Sequence, residues 1–438
     1  MANVSVQELK KRACEAIDKN RDKIIAIGDS IFEEPELGYK EFKTAEKVKK
    51  AFDEMGFKYQ DSVAITGVIA PLKGKKSLAK VSIMGELDAV VAPEHRCANP
   101  ETGGAHSCGH NAMIASIVGV GYALAGTGIM EELGGDISIM AVPAEEFVEI
   151  EYRNQLIEEG KISLLGGKQE FVKLGVMDDI DIMIMQHTGV RNEGDPKAVA
   201  GGGGNGFTGK LIKYIGKAAH SGGAPHLGVN ALNAATLGLQ GIAMQRETFK
   251  DQDHVRIHPI ITKGGDLVNV VPEDVRIETY VRAANLPAIE DACMKVDRAL
   301  RAGADAMGAE VVIKDLPGYL PPILNDELLD VVFANMKDIM GEDCVQYTRP
   351  AGTGSTDQGD ISQLMPSAHP YFLGAKGVGH SSNYEIGDKE IAYIDAAKTL
   401  VTTAIDLLYG DAEKALTIKA NHKPALTKEE YLSKWCKL

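Results

Sequence analysis

The sequence predicts an α/β protein whose mostly parallel central sheet is interrupted by an inserted α+β unit, and three observations lead there. Short runs rich in Ile, Val and Met recur in the first half: "AKVSIMGELD" (79–88), "GDISIMAVPAEE" (135–146) and "DIDIMIMQH" (179–187). Each run is continuous rather than alternating, as in strands buried on both faces, and helical stretches such as "NAMIASIVGVGYALAGTGIM" (111–130) lie between them. Past "GGGGNG" (201–206) the pattern changes to alternating strands and amphipathic helices, and the earlier pattern resumes near residue 319.

Taken in order, "MANVSVQELKKRACEAIDKNRDKIIAIGD" (1–29) reads as one charged amphipathic helix rather than a basic segment followed by an apolar core and a cleavage site. No apolar run of 18 residues follows it, which predicts a cytoplasmic protein with no membrane partner. The three apolar runs end on Asp88, on Glu145 and Glu146, and on His187. Ligands of open α/β sheets bind beyond the carboxyl ends of the strands, so these residues are expected at one edge.

The inserted unit, residues 206–318, reads strand, helix, strand, strand, helix, strand, the order of a ferredoxin-like unit. It separates the two parts of the first domain, 1–205 and 319–438, the second of which ends in a polar, helix-prone tail. At the seam "GNGFTGKL" (204–211) fits the spacing of a phosphate loop, but Leu211 stands where a magnesium-binding hydroxyl is required. The residues that follow alternate like a strand, so we read the stretch as a hinge.

Composition excludes several partners. With 47 Lys and Arg against 62 Asp and Glu, the formal charge of −15 repels phosphate backbones, and nucleic acid is not expected to bind. The six cysteines are scattered along the chain, unlike the framework of a small secreted domain, and are expected as reduced thiols. A bridge between Cys97 and Cys108 is conceivable from spacing but disfavoured.

The chemistry concentrates in "AHSCGHNAM" (105–113). Cys108 and His110 sit two residues apart in a Gly-containing turn, where both can face one ion of zinc or a similar metal. Alone, such a pair is more often a buried thiol beside a loop histidine. The metal reading strengthens when strand ends deliver Glu145, Glu146 and His187. In "PAEE" one carboxylate can bind metal while its neighbour faces substrate, and "GVGHSSN" (377–383) holds His380 in a Gly-flanked loop.

Together "GELDAV", "HSCGHN", "PAEEF", "MQH", "GKAAHSGGAPHLGVNA", "GGDLVNVVPEDVRIETYVR", "GTGSTDQGDIS" and "GVGH" resemble, in that order, the aminoacylase and carboxypeptidase-type di-metal amidohydrolases. The resemblance covers about residues 5 to 410 and is nearest to the branch of p-aminobenzoyl-glutamate hydrolase and related dipeptidases. It implies a zinc-exopeptidase-like catalytic domain and an inserted ferredoxin-like dimerisation, or lid, domain. It also implies two divalent ions, zinc or manganese, held by Cys108, His110, Glu146, His187 and His380, with Glu145 as general base and Asp88 orienting a histidine ligand. Glu86 stands where many relatives carry a metal-binding histidine. His220 would stabilise the oxyanion across the interface of a homodimer, a contribution worth ~10²–10³ in rate. Asn269 and Arg282 would meet the carbonyl and carboxylate of a small amide substrate, such as a dipeptide, an N-acyl amino acid or aminobenzoyl-glutamate. Two departures bear on substrate choice: the charged segment 147–169 after the paired glutamates, and "HTG" (187–189) in place of a histidine-proline. The 147–169 segment keeps open a hydrolytic deaminase acting on an aryl amine with the same residues; a binding protein without turnover is a lesser alternative, against which the presence of Glu145 and all five candidate ligands counts.

Overall fold

Lys80–Glu86, Asp136–Val142 and Ile182–Met185, the three apolar runs, lie side by side in the computed structural model, which describes residues 4–349 and 352–435. Apart from Lys80 every residue of these strands is buried, which is why the runs carry no alternation. They belong to a six-stranded sheet ordered Gln60–Val63, Gly67–Leu72, Asp136–Val142, Lys80–Glu86, Ile182–Met185, Ser367–Ala368. The last three pairings along that order are parallel and the first two antiparallel. Because the central strands run parallel, their carboxyl ends open on a single edge.

The helix His110–Leu124 buries every residue except Tyr122 and packs against Val6–Lys19 and Ala396–Leu408. A helix apolar all round belongs inside a core. A second sheet, absent from the sequence reading, joins Val345–Arg349, Ala198–Gly202, Tyr371–Lys376 and Glu385–Ile386, with His187–Val190 paired to Tyr371–Lys376. Its strands are short and one ends in Gly-Gly, so periodicity does not mark them.

The chain divides into two compact units. The first runs to Gly203, resumes at Ile323 through the strand ending at Arg349, and takes in Asp360–Lys428. The second comprises Gly204–Pro322, Gly352–Gly359 and residues 429–435. In it the strands order as Arg256–Ile257, Asp274–Ala283, Gly206–Ile215, Glu310–Pro317, all antiparallel, with Ile260–Lys263 also paired to Asp274–Ala283. The helices Ala231–Met244 and Leu286–Met307 pack on each other and on this sheet. "GNGFTGKL" runs into the strand Gly206–Ile215, the extended course that Leu211 and its neighbours imply.

Three elements differ from the sequence reading. The amino-terminal helix is two, Val6–Lys19 and Arg21–Glu33, because Asn20 leaves the helical region at ψ 11° and caps the first with its own side chain on the Ala16 carbonyl. The second strand in the order read for the inserted unit, "HVRIHPIITKG" (254–264), is two short strands separated by His258 and Pro259, where proline offers no N–H to a ladder. The helix expected to reach residue 130 stops at Leu124, before Gly126 and Gly128 adopt positive φ. Among the described residues no helix is long and apolar enough to cross a membrane, and Cys14, Cys97, Cys108, Cys293 and Cys344 are all free; Cys436 lies outside the described residues.

Candidate metal centre

Adjacent strand ends bring the first unit's chemistry together. Glu86 ends its strand fully buried, and Asp88, two residues on, is also fully buried. Asp88 has two tasks: Oδ2 accepts from the Glu146 N–H (2.8 Å), and Oδ1 lies 3.2 Å from His110 Nδ1, whose other neighbour is the Asp88 carbonyl at 2.9 Å. Two oxygens at Nδ1 hold a ring proton there, which leaves Nε2 as the nitrogen that would meet an ion. Nε2 stands 3.0 Å from Glu86 Oε2 and 3.9 Å from Glu145 Oε2.

Gly109 makes the turn between Cys108 and His110 feasible. It has φ +90°, and a Cβ there would come within 2.5 Å of the Tyr384 hydroxyl. Cys108 Sγ lies 3.5 Å from His187 Nε2, and His187 is fixed by its N–H donating to the Pro370 carbonyl. His380 adopts φ 59°, its N–H donates to the Ser107 carbonyl at 2.8 Å, and its Nε2 lies 3.3 Å from Glu146 Oε1. A non-glycine residue in that region is strained, a cost tolerated where surrounding structure enforces it.

The donor atoms form overlapping sets, each within 4.8 Å: Cys108, His110 and His187; Cys108, Glu146 and His380; Glu86, His110 and Glu145. These residues fit divalent ions. Thiolate, imidazole and carboxylate are the donors such ions take, and Glu86 Oε2, His110 Nε2 and Glu146 Oε1 are buried without a well-aligned hydrogen-bond partner.

Electrostatics agrees with a cation site. Burial and the Glu146 carboxylate push the Cys108 thiol up, but His187 and His110 outweigh them and bring it down to about 6. Burial likewise opposes ionisation of Glu146, yet His380 and His110 hold it at about 2. His380, bonded to Cys108 and Glu146, rises to about 11. Imidazolium protons thus neutralise a cluster of anionic donors, the task a metal ion performs when bound.

Sequence reasoning did not anticipate three residues of this centre. Lys168 is fully buried and paired with Glu86. Arg153, from the helix Ile150–Glu158 of the 147–169 segment, is buried and donates to the carbonyls of Glu146, of Ala144 (3.3 Å) and of Leu165 (2.8 Å). Glu41 accepts from the Ala144 N–H (2.8 Å) and the Thr66 hydroxyl (2.6 Å). Only the Gly-Gly-Lys at 166–168 carried any signal, since a glycine-rich turn and a lysine are what the resemblance expects after the paired glutamates.

Three expected residues lie in the second unit. His220 is exposed, and its Nδ1 accepts from the N–H groups of Gly222 (3.2 Å) and Gly223 (3.0 Å). The Asn269 carbonyl accepts from the Ser221 N–H, which ties its loop to that of His220. Arg282 donates to Ser355 Oγ (2.9 Å) and His258 Nε2 (3.1 Å), and its guanidinium stacks on Phe207 and Tyr280.

Residues 82–406 match Peptidase family M20/M25/M40. The chain belongs to that family. As an M20 peptidase it is a metal-dependent hydrolase of the amidohydrolase and peptidase type. It is 28% identical to the Xaa-Arg dipeptidase of Mus musculus over 428 residues, which cover 92% of this chain and 90% of that one. It is 26% identical to a p-aminobenzoyl-glutamate hydrolase polypeptide of Escherichia coli over 303 residues, 65% of this chain and 56% of the relative. Among solved structures, a dinuclear metal binding M20 peptidase of Bacillus subtilis shares the fold with TM-score 0.65 and 20% identity, covering 89% of this chain and 99% of that one. An aminobenzoyl-glutamate utilization protein from Klebsiella pneumoniae shares it with TM-score 0.66 and 18% identity, covering 90% and 97%.

Proposed function

We propose that this M20 peptidase hydrolyses the amide bond of a small substrate with a free carboxylate, such as a dipeptide, an N-acyl amino acid or aminobenzoyl-glutamate. One observation carries the reading: Cys108 belongs to two donor triads at once, with Glu145 beside them. Cys108, His110 and His187 would hold one ion, Cys108, Glu146 and His380 a second, and the shared thiolate suits zinc or manganese. When bound, such ions supply Lewis acidity, which acidifies water and polarises an amide carbonyl.

The residues do the rest. Glu145 is the general base: it accepts a proton from water at a carboxylate oxygen and passes it to the departing nitrogen. Asp88 keeps the His110 proton on Nδ1. In His220 the two backbone donors at Nδ1 leave the neutral ring's proton on Nε2, a donor suited to an oxyanion. Arg282 offers a guanidinium for the substrate carboxylate and Asn269 an amide for its carbonyl. The relatives' names point to a dipeptide and to aminobenzoyl-glutamate, both amides that carry a carboxylate.

The second unit serves as lid and dimerisation domain of a homodimer in the cytoplasm. Ile260 and Ile261 on the strand Ile260–Lys263, and Leu237 and Met244 on the helix Ala231–Met244, are exposed apolar residues suited to a second copy.

Metal analysis of the purified protein, together with a screen of dipeptides, N-acyl amino acids, aminobenzoyl-glutamate and aryl amines, tests the proposal. About two ions per chain and cleavage of carboxylate-bearing amides are expected. Ammonia released from aryl amines alone would replace the reading with a hydrolytic deaminase, and bound ions without turnover would leave a binding protein. Glu145→Gln is expected to lower kcat by ~10²–10⁴ with metal content unchanged; a fully active variant would remove the general-base role.

A further inference from the structure

A cavity of about 990 Å³ lies within the second unit, at the upper end of the volumes that small-molecule sites occupy. Its walls are the end of the helix Ala231–Met244, the short turns Arg246–Thr248 and Asp251–Asp253, and the run 254–259 that holds the strand Arg256–Ile257. His254 turns the chain into that strand at φ 48°, a strained value for a side-chain-bearing residue. Its carbonyl accepts from the Asn205 amide (3.0 Å) and its N–H donates to the Asp251 carbonyl (3.2 Å), so the rim is held by bonds.

The charge of the lining is one-sided. Arg246, Lys250 and Arg256 are cations, and Asp251 is the one carboxylate among the described residues of the lining. The neighbouring Asp253 is engaged by the Asn285 amide (3.2 Å). Among the described residues none of the three cations forms an ion pair, and the one side-chain bond they make runs from Arg256 to the adjacent Val255 carbonyl (2.9 Å). A chain of net charge −15 has carboxylates to spare. At the first unit's smaller cavity, about 470 Å³, Lys419 and Lys428 both meet aspartates at 2.5 Å. Unpaired cations around a hollow focus a positive field into it, and a guanidinium fork fits a carboxylate or phosphate. Ile242 and Phe249 add apolar wall for the rest of a ligand.

We propose that this cavity is a binding site for a small organic anion, an apolar body that carries a carboxylate or phosphate. The site also touches the substrate machinery, because His258 lines it and accepts from Arg282 Nε (3.1 Å). An anion bound here opposes a second anion at Arg282, so it raises KM for a carboxylate-bearing substrate and leaves kcat unchanged. That consequence, unlike the site itself, rests on the role given to Arg282 above.

Calorimetric titration of the full-length protein with octanoate and with hexyl phosphate, and with octylamine as the cationic control, tests the site. About one anion per chain is expected to bind to the wild type, R246A/K250A to bind at least about tenfold more weakly, and octylamine not to bind. Preference for octanoate would make the natural ligand a carboxylate, and preference for hexyl phosphate a phosphate ester. Binding of neither anion, equal binding by wild type and R246A/K250A, or equal binding of octylamine overturns the proposal. Binding that appears only in I260K/I261K also overturns it, since a second copy would then fill the cavity. Arg246 and Lys250 are exposed, so R246A/K250A should melt with the wild type; if it does not fold, R256A decides on the same terms. In turnover assays octanoate is expected to raise KM at least about twofold in the wild type and to leave R246A/K250A unaffected. An equal rise in both would put the anion on Arg282 itself and remove the coupling. A protein without turnover would sink the proposed function and leave the titration to decide the site.

Discussion

Glu41 shows what a residue can contribute from behind a site. Burial first, and the neighbouring Asp88 second, push its carboxyl up to about 7, while bonds from Thr66 and the Ala144 N–H pull the other way. The native state therefore holds this proton more tightly than the unfolded chain, whose glutamates titrate near ~4.3. The stability it contributes is complete below that value and is lost as pH rises through about 7. Glu41→Gln keeps an acceptor for the Ala144 N–H but has no proton to lose. It should flatten the decline in stability between pH 5 and pH 8 by on the order of 1 kcal/mol or more, read from urea midpoints at the two values. An identical pH slope in both proteins would refute it. Residues of this kind were illegible in the sequence. Cys108, His110, Glu145, Glu146 and His187 announce themselves by sitting beyond buried strands or in a dense polar turn, whereas Glu41 is one acidic residue among many near the start of a helix.

At the scale of elements, the turn that presents Glu145 and Glu146 is held from two sides. Ala144 takes φ 55°, a conformation costing a non-glycine residue on the order of 1 kcal/mol. Glu41 and Asp88 grip the turn's N–H groups, and Arg153 grips its carbonyls. Arg153→Ala should leave three buried carbonyls without that donor and cost roughly 3 kcal/mol or more. It should lower kcat as well, while Arg153→Lys, lacking the planar fork, should rescue only part of either. Urea midpoints and turnover on the best substrate of the screen check both, and a wild-type-like Arg153→Ala would show the turn to be self-supporting. From the sequence, 147–169 is a charged segment, because "EYRNQLIEE" has the composition of a solvated helix. A buried arginine leaves no periodic trace, since its partners are carbonyls, which every residue has. The strands of the first sheet were legible for the opposite reason: full burial writes itself as unbroken Ile, Val and Met. The second sheet, built from stretches such as "AVAGG" and "VQYTR", offered no comparable run.

For the whole molecule, the insertion was readable because one periodicity stops at the glycines and a different one begins. The attachment of 352–359 and of 429–435 to the second unit was not, since short polar segments carry no mark of the core they join. The dimer reading makes a prediction at this scale. Ile260→Lys with Ile261→Lys should yield monomers by light scattering, keep the metal content, and lower kcat by ~10²–10³ through loss of the partner's oxyanion donor. A monomer with full turnover would confine His220 to its own protomer or to no catalytic part. The overlapping triads also bear on how the enzyme is made. Cys108, His110 and His187 lie within 79 residues of chain (187 − 108), but the triad completed by His380 must wait for a further 193 (380 − 187). During synthesis the donors of the two triads therefore emerge at different times, and the second unit's residues 204–322 and 352–359 have been translated before His380 can join Cys108 and Glu146. Assembly of the pair is in this sense a late check on the nascent chain: only a protein folded through residue 380 can close it.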